Sequence, residues 1–299
     1  MAEKRFLFDP VQMVSVAREA STDAGLSATR VELLRLGQNL MYLLPGEGVV
    51  VRIARNSDFL ATAVKEVAVA GWLRRQGFAA AEALAVDQPR VVQGYPVTFW
   101  RYVPGRVSDE SDLALLGAQL LRFHNLGWPA SLAVPDFDPL AQLRQRVESA
   151  SIPAEDREFL LQELLRLGIE LREVRYELPS GVNHGDAHIK NVIVTSAGEG
   201  VLLDFEGVCR GPREWDLAKV ATEAELGMVS SHHYEAFVRA YGYDVRTWEG
   251  FGVVSSVMRL RMTAWIAQNV EHSDAVAQEF AKRIKTLRDG QPSEDWRGF

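Results

Sequence analysis

The chain has 299 residues, of which 47% are hydrophobic and 24% are charged. This is ordinary globular composition, and the length is enough for one large domain or two lobes. The formal net charge of −7 argues against nucleic acid or an anionic membrane surface as the main partner. The sequence has one cysteine, Cys209, which excludes an intrachain disulfide. With no apolar stretch near the ~20 residues of a membrane span and no secretory signal, we expect a cytoplasmic protein.

The first hundred residues predict a small sheet preceded by a helix. Residues 10–24 have helical spacing, with Pro10 in the first turn. Three β-like runs follow, VELLRL, NLMYLL and VVVRIA. The PGEG sequence between the second and third runs predicts a hairpin turn.

The segment SDFLATAVKEVAVAGWLRRQG predicts the main helix of this region, because its apolar residues recur at helical spacing. Ser57 or Asp58 is expected to cap its first turn. Two more strand candidates follow at residues 82–87, EALAVD, and residues 95–103, YPVTFWRYV.

From Asp109 onward the pattern is mostly helical. The exception is residues 182–208, VNHGDAHIKNVIVTSAGEGVLLDFEGV, where short apolar runs alternate with ionisable residues. We therefore predict an α+β fold of two lobes. Residues 1–102 form an N-lobe with a small antiparallel sheet and one main helix, and residues 103–299 form a larger, mostly helical C-lobe. The hinge is expected near residues 99–105.

Charge is distributed unevenly between these lobes. Residues 1–105 contain 12 basic and 10 acidic residues, whereas the remainder contains 21 basic and 30 acidic residues. An acidic C-lobe favours a cationic substrate. A solvated acidic surface explains the same imbalance equally well.

Three polar residues in the exceptional segment suit phosphoryl-transfer chemistry. Asn191 follows Asp186 by five residues, and Asp204 ends the strand-like run GVLLDF. A loop followed by a hairpin can bring these side chains around one small volume. Asn191 and Asp204 supply the oxygen ligands that Mg²⁺ prefers, and phosphates and waters usually complete its coordination. Asp186 beside that metal can orient a hydroxyl and accept its proton.

The pattern HGDxxxxN, a strand ending in DFE and the following GPREWDLA together resemble the aminoglycoside phosphotransferase family, which has a protein-kinase-like fold. The resemblance extends to the N-terminal hairpin, the main helix, VTFWRYVPG and LGAQLLRFHNL, and it covers most of residues 30–270. It implies ATP- or GTP-dependent phosphorylation of a hydroxyl on a small molecule, with nucleotide between the lobes.

Carried onto this sequence, the resemblance implies that Asp186 is the catalytic base and that Asn191 and Asp204 hold Mg²⁺. It also implies that His184 supports the loop through hydrogen bonds and that Asp216 braces the loop from below. His124, at the end of its helix, is interpreted as a buried hydrogen-bonding residue. The roles of His188, Lys190 and Glu206 are left open.

For the nucleotide, the resemblance implies that Glu66 pairs with a phosphate-binding cation on the neighbouring strand. This cation is Arg52, where kinases usually have Lys, and Arg can clamp phosphates with its planar fork. Lys65, directly before Glu66, is expected on another face of the helix. The other expected nucleotide-binding residues are Gly37, Asn39, Trp100, Tyr102 and Val103.

The sequence leaves three functions open. The first is phosphorylation of an aminoglycoside-like or other cationic antibiotic, and the second is a metabolic kinase for a sugar or amino alcohol. The third is a nucleotide-binding module without catalysis, which is motivated by Arg52 and by the single glycine of the loop Leu36–Asn39. The acceptor hydroxyl, the choice between ATP and GTP, and the oligomeric state are not fixed by the sequence.

Overall fold

The structure is a computed structural model that describes residues 9–37, 39–128, 132–290 and 296–298. Gln38 of the predicted phosphate loop lies outside the described residues. In chain order, the helices and strands are α1 (Pro10–Asp23), β1 (Glu32–Leu36), β2 (Leu40–Leu44), β3 (Val49–Ile53), α2 (Leu60–Arg75), β4 (Arg90–Val92), β5 (Tyr95–Arg101), β6 (Arg106–Val107), α3 (Leu113–His124), α4 (Leu143–Ser149), α5 (Ala154–Glu173), β7 (Gly181–Asn183), β8 (Val192–Val194), β9 (Gly200–Leu202), β10 (Cys209–Gly211), α6 (Glu214–Glu225), α7 (Ser231–Tyr241), α8 (Phe251–Ala267) and α9 (Asp274–Asp289).

The chain divides into two compact units, each made of several segments. The first unit comprises Met1–Val107, Trp128–Val134 and Asn191–Val208, and the second comprises Ser108–Gly127, Pro135–Lys190 and Cys209–Phe299. The strands β1–β6, β8 and β9 belong to the first unit, and most of the helices belong to the second. The predicted α+β class is confirmed, whereas the lobe boundary after Tyr102 stays a prediction.

The first unit is built on a five-stranded antiparallel sheet with the strand order β1-β2-β3-β5-β4. The predicted hairpin turn is confirmed, since Leu44 pairs with Val49 across it. Helix α1 begins after Asp9, whose carboxylate accepts a hydrogen bond from Val11 N at 2.9 Å. The apolar face of α1 packs with β2, β3 and β5 into one buried cluster, which fixes the sheet that carries Arg52.

Helix α2 confirms the predicted main helix, but its cap differs from the expectation. A single 3-10 turn at Ser57–Phe59 precedes α2, and the side chain of Asn56 accepts a hydrogen bond from Asp58 N at 3.0 Å. Asn56 therefore caps this turn, and α2 itself begins after Phe59 without a side-chain cap. The predicted cap at Ser57 or Asp58 is wrong, because Asn is as good an N-cap as Ser or Asp and Asn56 is the first polar residue of the run Asn56–Asp58.

The predicted strand at residues 82–87 is wrong. This segment runs beside β5 and bonds to it at intervals, with Leu84 N donating to Phe99 O at 2.8 Å. The side chain of Gln88 takes the other ladder positions, because Phe99 N donates to its Oε1 at 2.7 Å and its Nε2 donates to Leu84 O at 2.6 Å. A side-chain amide thus replaces the backbone groups of a regular strand, and β4 forms the sheet edge instead.

A second sheet of the first unit has the order β6-β8-β9 and carries the DFE sequence at its end. Its strands β8 and β9 form an antiparallel hairpin in which Val192 pairs with Leu202. A Cβ atom at Gly105 would lie 2.5 Å from Val194 O, so only glycine allows the chain before β6 to approach β8 this closely.

The second unit is helical around a two-stranded antiparallel ladder of β7 and β10. Helix α8 packs against α4, α5, α6 and α9. Helices α3 and α7 also pack closely, since a Cβ atom at Gly117 would lie 2.6 Å from Phe237 O. This packing holds the loop that follows β7, which contains Asp186. Across the four described ranges, no helix is both long and apolar enough to cross a membrane.

Candidate active site

Asn191 and Asp204 lie at the same end of the β8–β9 hairpin. Asn191 directly precedes β8, and Asp204 follows β9 by two residues. Leu203 N donates to Asn191 O at 2.8 Å, which joins the two ends of the hairpin next to Asp204. Asn191 is buried, and the side chain of Asp204 is 44% exposed. The hairpin therefore brings the two predicted metal ligands into one region of the first unit.

The DFE loop, defined here as residues 204–208, has an uncommon backbone conformation. Asp204 lies in the left-handed region with φ 63° and ψ 81°. Phe205 is buried and packs near Trp100, with ring centroids 6.5 Å apart. The burial of Phe205 anchors the loop, while the carboxylates of Asp204 and Glu206 stay partly exposed on either side of it.

Arg52 is the centre of a charged cluster in the first unit. Its Nη1 donates to Glu66 Oε1 at 2.5 Å, and its Nη2 lies 3.5 Å from Glu206 Oε2 and 4.0 Å from Asp204 Oδ1. With the Asn39 amide oriented so that its oxygen faces the guanidinium, this oxygen accepts from Nη2 at 2.7 Å and from Nε at 3.0 Å. Asn39, Arg52, Glu66 and Glu206 line a small pocket. The predicted Arg52–Glu66 pair is present in the structure, and Asn39 and Glu206 contact the same cation.

The charges around Arg52 are unbalanced, because one guanidinium faces three carboxylates. Burial disfavours the charged guanidinium, but Glu66, Asp204 and Glu206 outweigh this effect and raise the pKa of Arg52. Burial also raises the pKa of Glu66, with Asp204 and Glu206 acting in the same direction and Arg52 opposing them. The cluster therefore has excess negative charge that a cation could compensate.

The donor set of this region fits a hard divalent cation. Asp204 and Glu206 offer carboxylate oxygens, and Asn191 offers an amide oxygen at the same hairpin end. In the part of the chain that the structure describes, no three His, Cys, Asp or Glu side chains are grouped so that they alone could hold a metal ion.

Lys65 also contacts the DFE loop. Its Nζ donates to Glu206 O at 2.5 Å and to Val208 O at 3.2 Å, and both atoms belong to the first unit. Lys65 and Glu66 therefore both act near the same loop, although neighbouring residues on a helix point in different directions. The sequence did not predict this contact, because helical spacing alone ignores the reach of a long lysine side chain.

Gly37 of the predicted phosphate loop makes two hydrogen bonds through its backbone. Gly37 N donates to Asn39 O at 3.2 Å, and Arg55 Nη2 donates to Gly37 O at 3.3 Å. The side chain of Asn39 faces Arg52 rather than solvent. Asn39 thus joins the charged cluster, while Gly37 contributes backbone geometry.

The segment predicted to contact the nucleotide base is largely engaged within the protein. Trp100 is buried, and its Nε1 donates to Thr98 Oγ1 at 2.9 Å. Tyr102 N donates to Gly48 O at 2.8 Å, and its ring is 38% exposed. The indole of Trp100 therefore packs in the core. Contact of the nucleotide base with the backbone of residues 100–103 and with the ring of Tyr102 stays a prediction.

In the second unit, the loop that holds Asp186 is fixed by a buried carboxylate. His184 N and Gly185 N donate to Asp216 Oδ2 and Oδ1 at 2.7 and 2.8 Å. Trp215 Nε1 donates to Gly185 O at 3.1 Å. The two residues before Asp186 are thus held by consecutive residues of α6, as the WDLA motif suggested.

His124 completes this brace and is fully buried with Asp216. Its Nε2 lies 2.9 Å from Asp216 Oδ2, and its Nδ1 lies 2.8 Å from the Tyr241 hydroxyl. A carboxylate only accepts, so the ring carries its proton on Nε2, and a neutral ring accepts from Tyr241 on Nδ1. The interpretation of His124 as a buried hydrogen-bonding residue is confirmed.

Asp186 has a partly exposed carboxylate near basic side chains. Its side chain is 55% exposed, and Oδ2 lies 3.6 Å from His188 Nε2. The surrounding protein opposes ionisation, but His188, Lys219 and Arg261 outweigh it and hold the pKa of Asp186 below its ordinary value. Burial lowers the pKa of His188. Asp186 is therefore a hydrogen-bond acceptor. Lys190, which lies in the same loop, is exposed.

The structure thus groups most of the predicted site residues in the first unit. Arg52, Glu66, Asn39 and Asp204 are in one cluster, with Asn191 at the adjoining hairpin end. Asp186 belongs to the second unit, where α6 braces its loop.

Comparison with known proteins places the chain in a family. Residues 33–251, more than half of the chain, match the family described as the phosphotransferase enzyme family, APH. No curated protein matches the chain in sequence.

Several solved structures share the fold. An amicoumacin kinase, solved in complex with AMP-PNP and Ca²⁺, has 15% identity and a TM-score of 0.74, with 96% of this chain and 95% of that chain covered. A microcompartment-associated aminopropanol kinase has 18% identity and a TM-score of 0.71, with 94% and 100% covered. An aminoglycoside 2'-phosphotransferase, in a GDP complex, has 16% identity and a TM-score of 0.66, with 94% and 98% covered.

These likenesses confirm the predicted kinase-like fold, and the match over the catalytic motifs confirms the predicted family. The chain belongs to the phosphotransferase enzyme family.

Proposed function

We propose that the protein transfers the γ-phosphoryl group of ATP or GTP to a hydroxyl group of a small molecule. Asp186 is the catalytic base of this reaction. Its carboxylate accepts the proton of the acceptor hydroxyl while the acceptor oxygen bonds to the γ-phosphorus, and the bond from that phosphorus to the departing nucleoside diphosphate breaks. The position of Asp186 supports this role, because its carboxylate is partly exposed and the two residues before it are held by Asp216.

We assign the other charged residues to the triphosphate. Arg52 binds phosphate oxygens, and Glu66 and Asn39 hold its guanidinium in one orientation. Asn191 and Asp204 hold Mg²⁺, which when bound neutralises phosphate charge. The Ca²⁺ and AMP-PNP of the amicoumacin kinase complex are consistent with a divalent cation and a nucleoside triphosphate here.

The observation that carries the proposal is the cluster around Arg52. A buried guanidinium held by Glu66 at 2.5 Å is a costly arrangement for stability alone, because both charges lose hydration. Two further carboxylates near the same cation add repulsion between like charges. A site that receives a divalent cation together with a polyanion explains all four groups at once.

Two classes of acceptor molecule are candidates. The excess of acidic residues after residue 105 supports a cationic acceptor, such as an aminoglycoside-like antibiotic. The likeness to an aminopropanol kinase favours a second candidate, a metabolic amino alcohol. Both classes combine an amine with a hydroxyl group, so the same chemistry serves either. We expect the reaction to take place in the cytoplasm.

A panel of acceptors tests the proposal. Purified protein is incubated with Mg²⁺ and either ATP or GTP, and with aminoglycosides, amino alcohols or sugars. Nucleoside diphosphate release and the mass of the acceptor are measured together. We expect one class to yield a phosphate ester in a one-to-one ratio with diphosphate. Nucleotide binding without product from any class would instead favour a non-catalytic nucleotide-binding module.

A further inference from the structure

Lys65 is a half-buried residue of α2 whose ammonium group is directed at the main chain of the DFE loop. Nζ donates to Glu206 O at 2.5 Å and to Val208 O at 3.2 Å. An ammonium group has three protons to donate. Two of these protons therefore bind the middle residue of the 3-10 turn at Phe205–Gly207 and the residue directly after it.

Lys65 and Glu66 are adjacent on α2, and both side chains hold groups next to Asp204. Glu66 holds Arg52 at 2.5 Å, and Arg52 in turn lies 4.0 Å from Asp204 Oδ1. Lys65 holds the loop that begins with Asp204. One helix, α2, therefore fixes the position of Arg52 relative to the DFE loop that carries Asp204.

The DFE loop has a conformation that needs such support. Asp204 is one of the few non-glycine residues with positive φ among those that the structure describes, and this conformation persists only where the surroundings impose it. The carboxylates of Asp204 and Glu206 both approach the guanidinium of Arg52, which brings like charges close together. The Lys65 ammonium group, which is bonded to the loop carbonyls, helps to hold the strained backbone in place and reduces the repulsion between the two carboxylates.

We propose that Lys65 is a positioning residue for metal-dependent nucleotide binding. It holds the DFE loop in the conformation that presents the Asp204 carboxylate to the divalent cation. The inference rests on the proposed function, in which Asp204 is a metal ligand. It assigns Lys65 to the alignment of Asp204 and assigns no direct contact of Lys65 with the nucleotide.

The test compares ATP binding with and without Mg²⁺. The dissociation constant of ATP is measured for the full chain in excess Mg²⁺ and in EDTA. The variants are Lys65→Met, which removes the charge and the donors, and Lys65→Arg, which keeps both. Lys285→Met, at an exposed position on α9, is the matched control. Lys65→Gln keeps a donor and serves if Lys65→Met fails to fold.

We expect Lys65→Met to weaken ATP binding about tenfold in Mg²⁺ and to leave binding in EDTA within about twofold of wild type. Lys65→Arg should recover most of the loss, Lys65→Gln should be intermediate, and Lys285→Met should match wild type in both conditions. Amide hydrogen exchange of residues 203–209 without nucleotide should become faster in Lys65→Met, which gives a readout that needs no metal.

Two results would overturn the inference alone. One is a Lys65→Met protein with the wild-type response to Mg²⁺, and the other is an equal loss of ATP binding in Mg²⁺ and in EDTA. If wild-type binding of ATP is itself indifferent to Mg²⁺, the metal role of Asp204 fails, and the proposed function fails with the inference. The wild-type measurement therefore separates the two failures.

Discussion

Replacement of Asp216 should damage both stability and turnover, because one buried carboxylate braces the loop before Asp186. Asp216 is fully buried and accepts from His184 N, Gly185 N and His124 Nε2 at 2.7, 2.8 and 2.9 Å. In Asp216→Ala all three donors lose their acceptor. A buried donor without a partner costs about 1–3 kcal/mol. We expect the free energy of unfolding to fall by about 4 kcal/mol. This value is near the low end of the summed cost of the three donors, because water can enter the vacated space.

The expected loss can be measured by urea unfolding and by thermal denaturation. At about 2–4 °C per kcal/mol for a chain of this size, Asp216→Ala should lower Tm by roughly 8–16 °C. Asp216→Asn keeps one acceptor oxygen, so about half of this loss is expected. A displacement of the loop by about 1 Å can cost on the order of 100-fold in kcat. The matched control is Asp289→Asn, at an exposed position.

An Asp216→Ala protein that unfolds within about 1 kcal/mol of wild type would refute this reasoning, since each unpaired donor alone costs that much. Unchanged kcat in a folded Asp216→Asn protein would refute the link from the brace to Asp186.

Three further predictions concern charge. Asp204→Asn should raise the Mg²⁺ concentration needed for half-maximal ATP binding by about tenfold or more, since it removes a charged ligand; an unchanged Mg²⁺ titration would argue against a metal at Asp204. Arg52→Met should raise KM for ATP by about 10–100-fold, with Arg52→Lys intermediate because lysine lacks the planar fork; steady-state kinetics would contradict this if Arg52→Met kept the wild-type KM. Asp244 has a lowered pKa because hydrogen bonds from Arg246 and Tyr234 outweigh the effect of burial, so its stabilisation is present above the unfolded-state pKa and is lost as pH falls through the folded-state pKa. Urea unfolding from neutral pH down to about pH 3 should show a steeper loss for wild type than for Asp244→Asn, and parallel curves would disprove the assignment.

Much of the fold follows from local patterns in the sequence. Helix α1, the hairpin of β2 and β3, and helix α2 have the residues that their periods and turns require. The paired runs around residues 182–208 predicted that Asn191 and Asp204 meet at one hairpin end, which the structure shows. Such features depend on residues that are close in sequence, so spacing is enough to predict them.

Other features depend on contacts that spacing does not show. The segment 82–87 has an apolar run typical of a strand, but the side chain of Gln88 takes the ladder positions beside it. Trp100 was one of two aromatic rings considered for the nucleotide base, and its indole bonds to Thr98 and packs in the core. A tertiary contact with β5 decides the first outcome, and the burial of Trp100 beside Phe205 decides the second.

The contacts of Arg52 also divide into those that the sequence predicted and those that it did not. The pairing of Arg52 with Glu66 followed from the motif, whereas the contacts of Arg52 with Asn39 and Glu206 did not. Lys65 was assigned to another helix face, although its flexible four-carbon stem reaches the loop carbonyls. Long side chains extend the set of possible partners beyond what helical periodicity can resolve.

The most direct test of the central claim is a single-turnover measurement on wild type and on Asp186→Ala. Enzyme in excess over Mg·ATP is mixed with the acceptor that the panel identifies, and product is followed with time. Wild type should convert the bound nucleotide to ester and ADP. Asp186→Ala should bind Mg·ATP with similar affinity and form product more slowly by a factor on the order of 100 to 10,000. Product formation at the wild-type rate in Asp186→Ala would contradict the account.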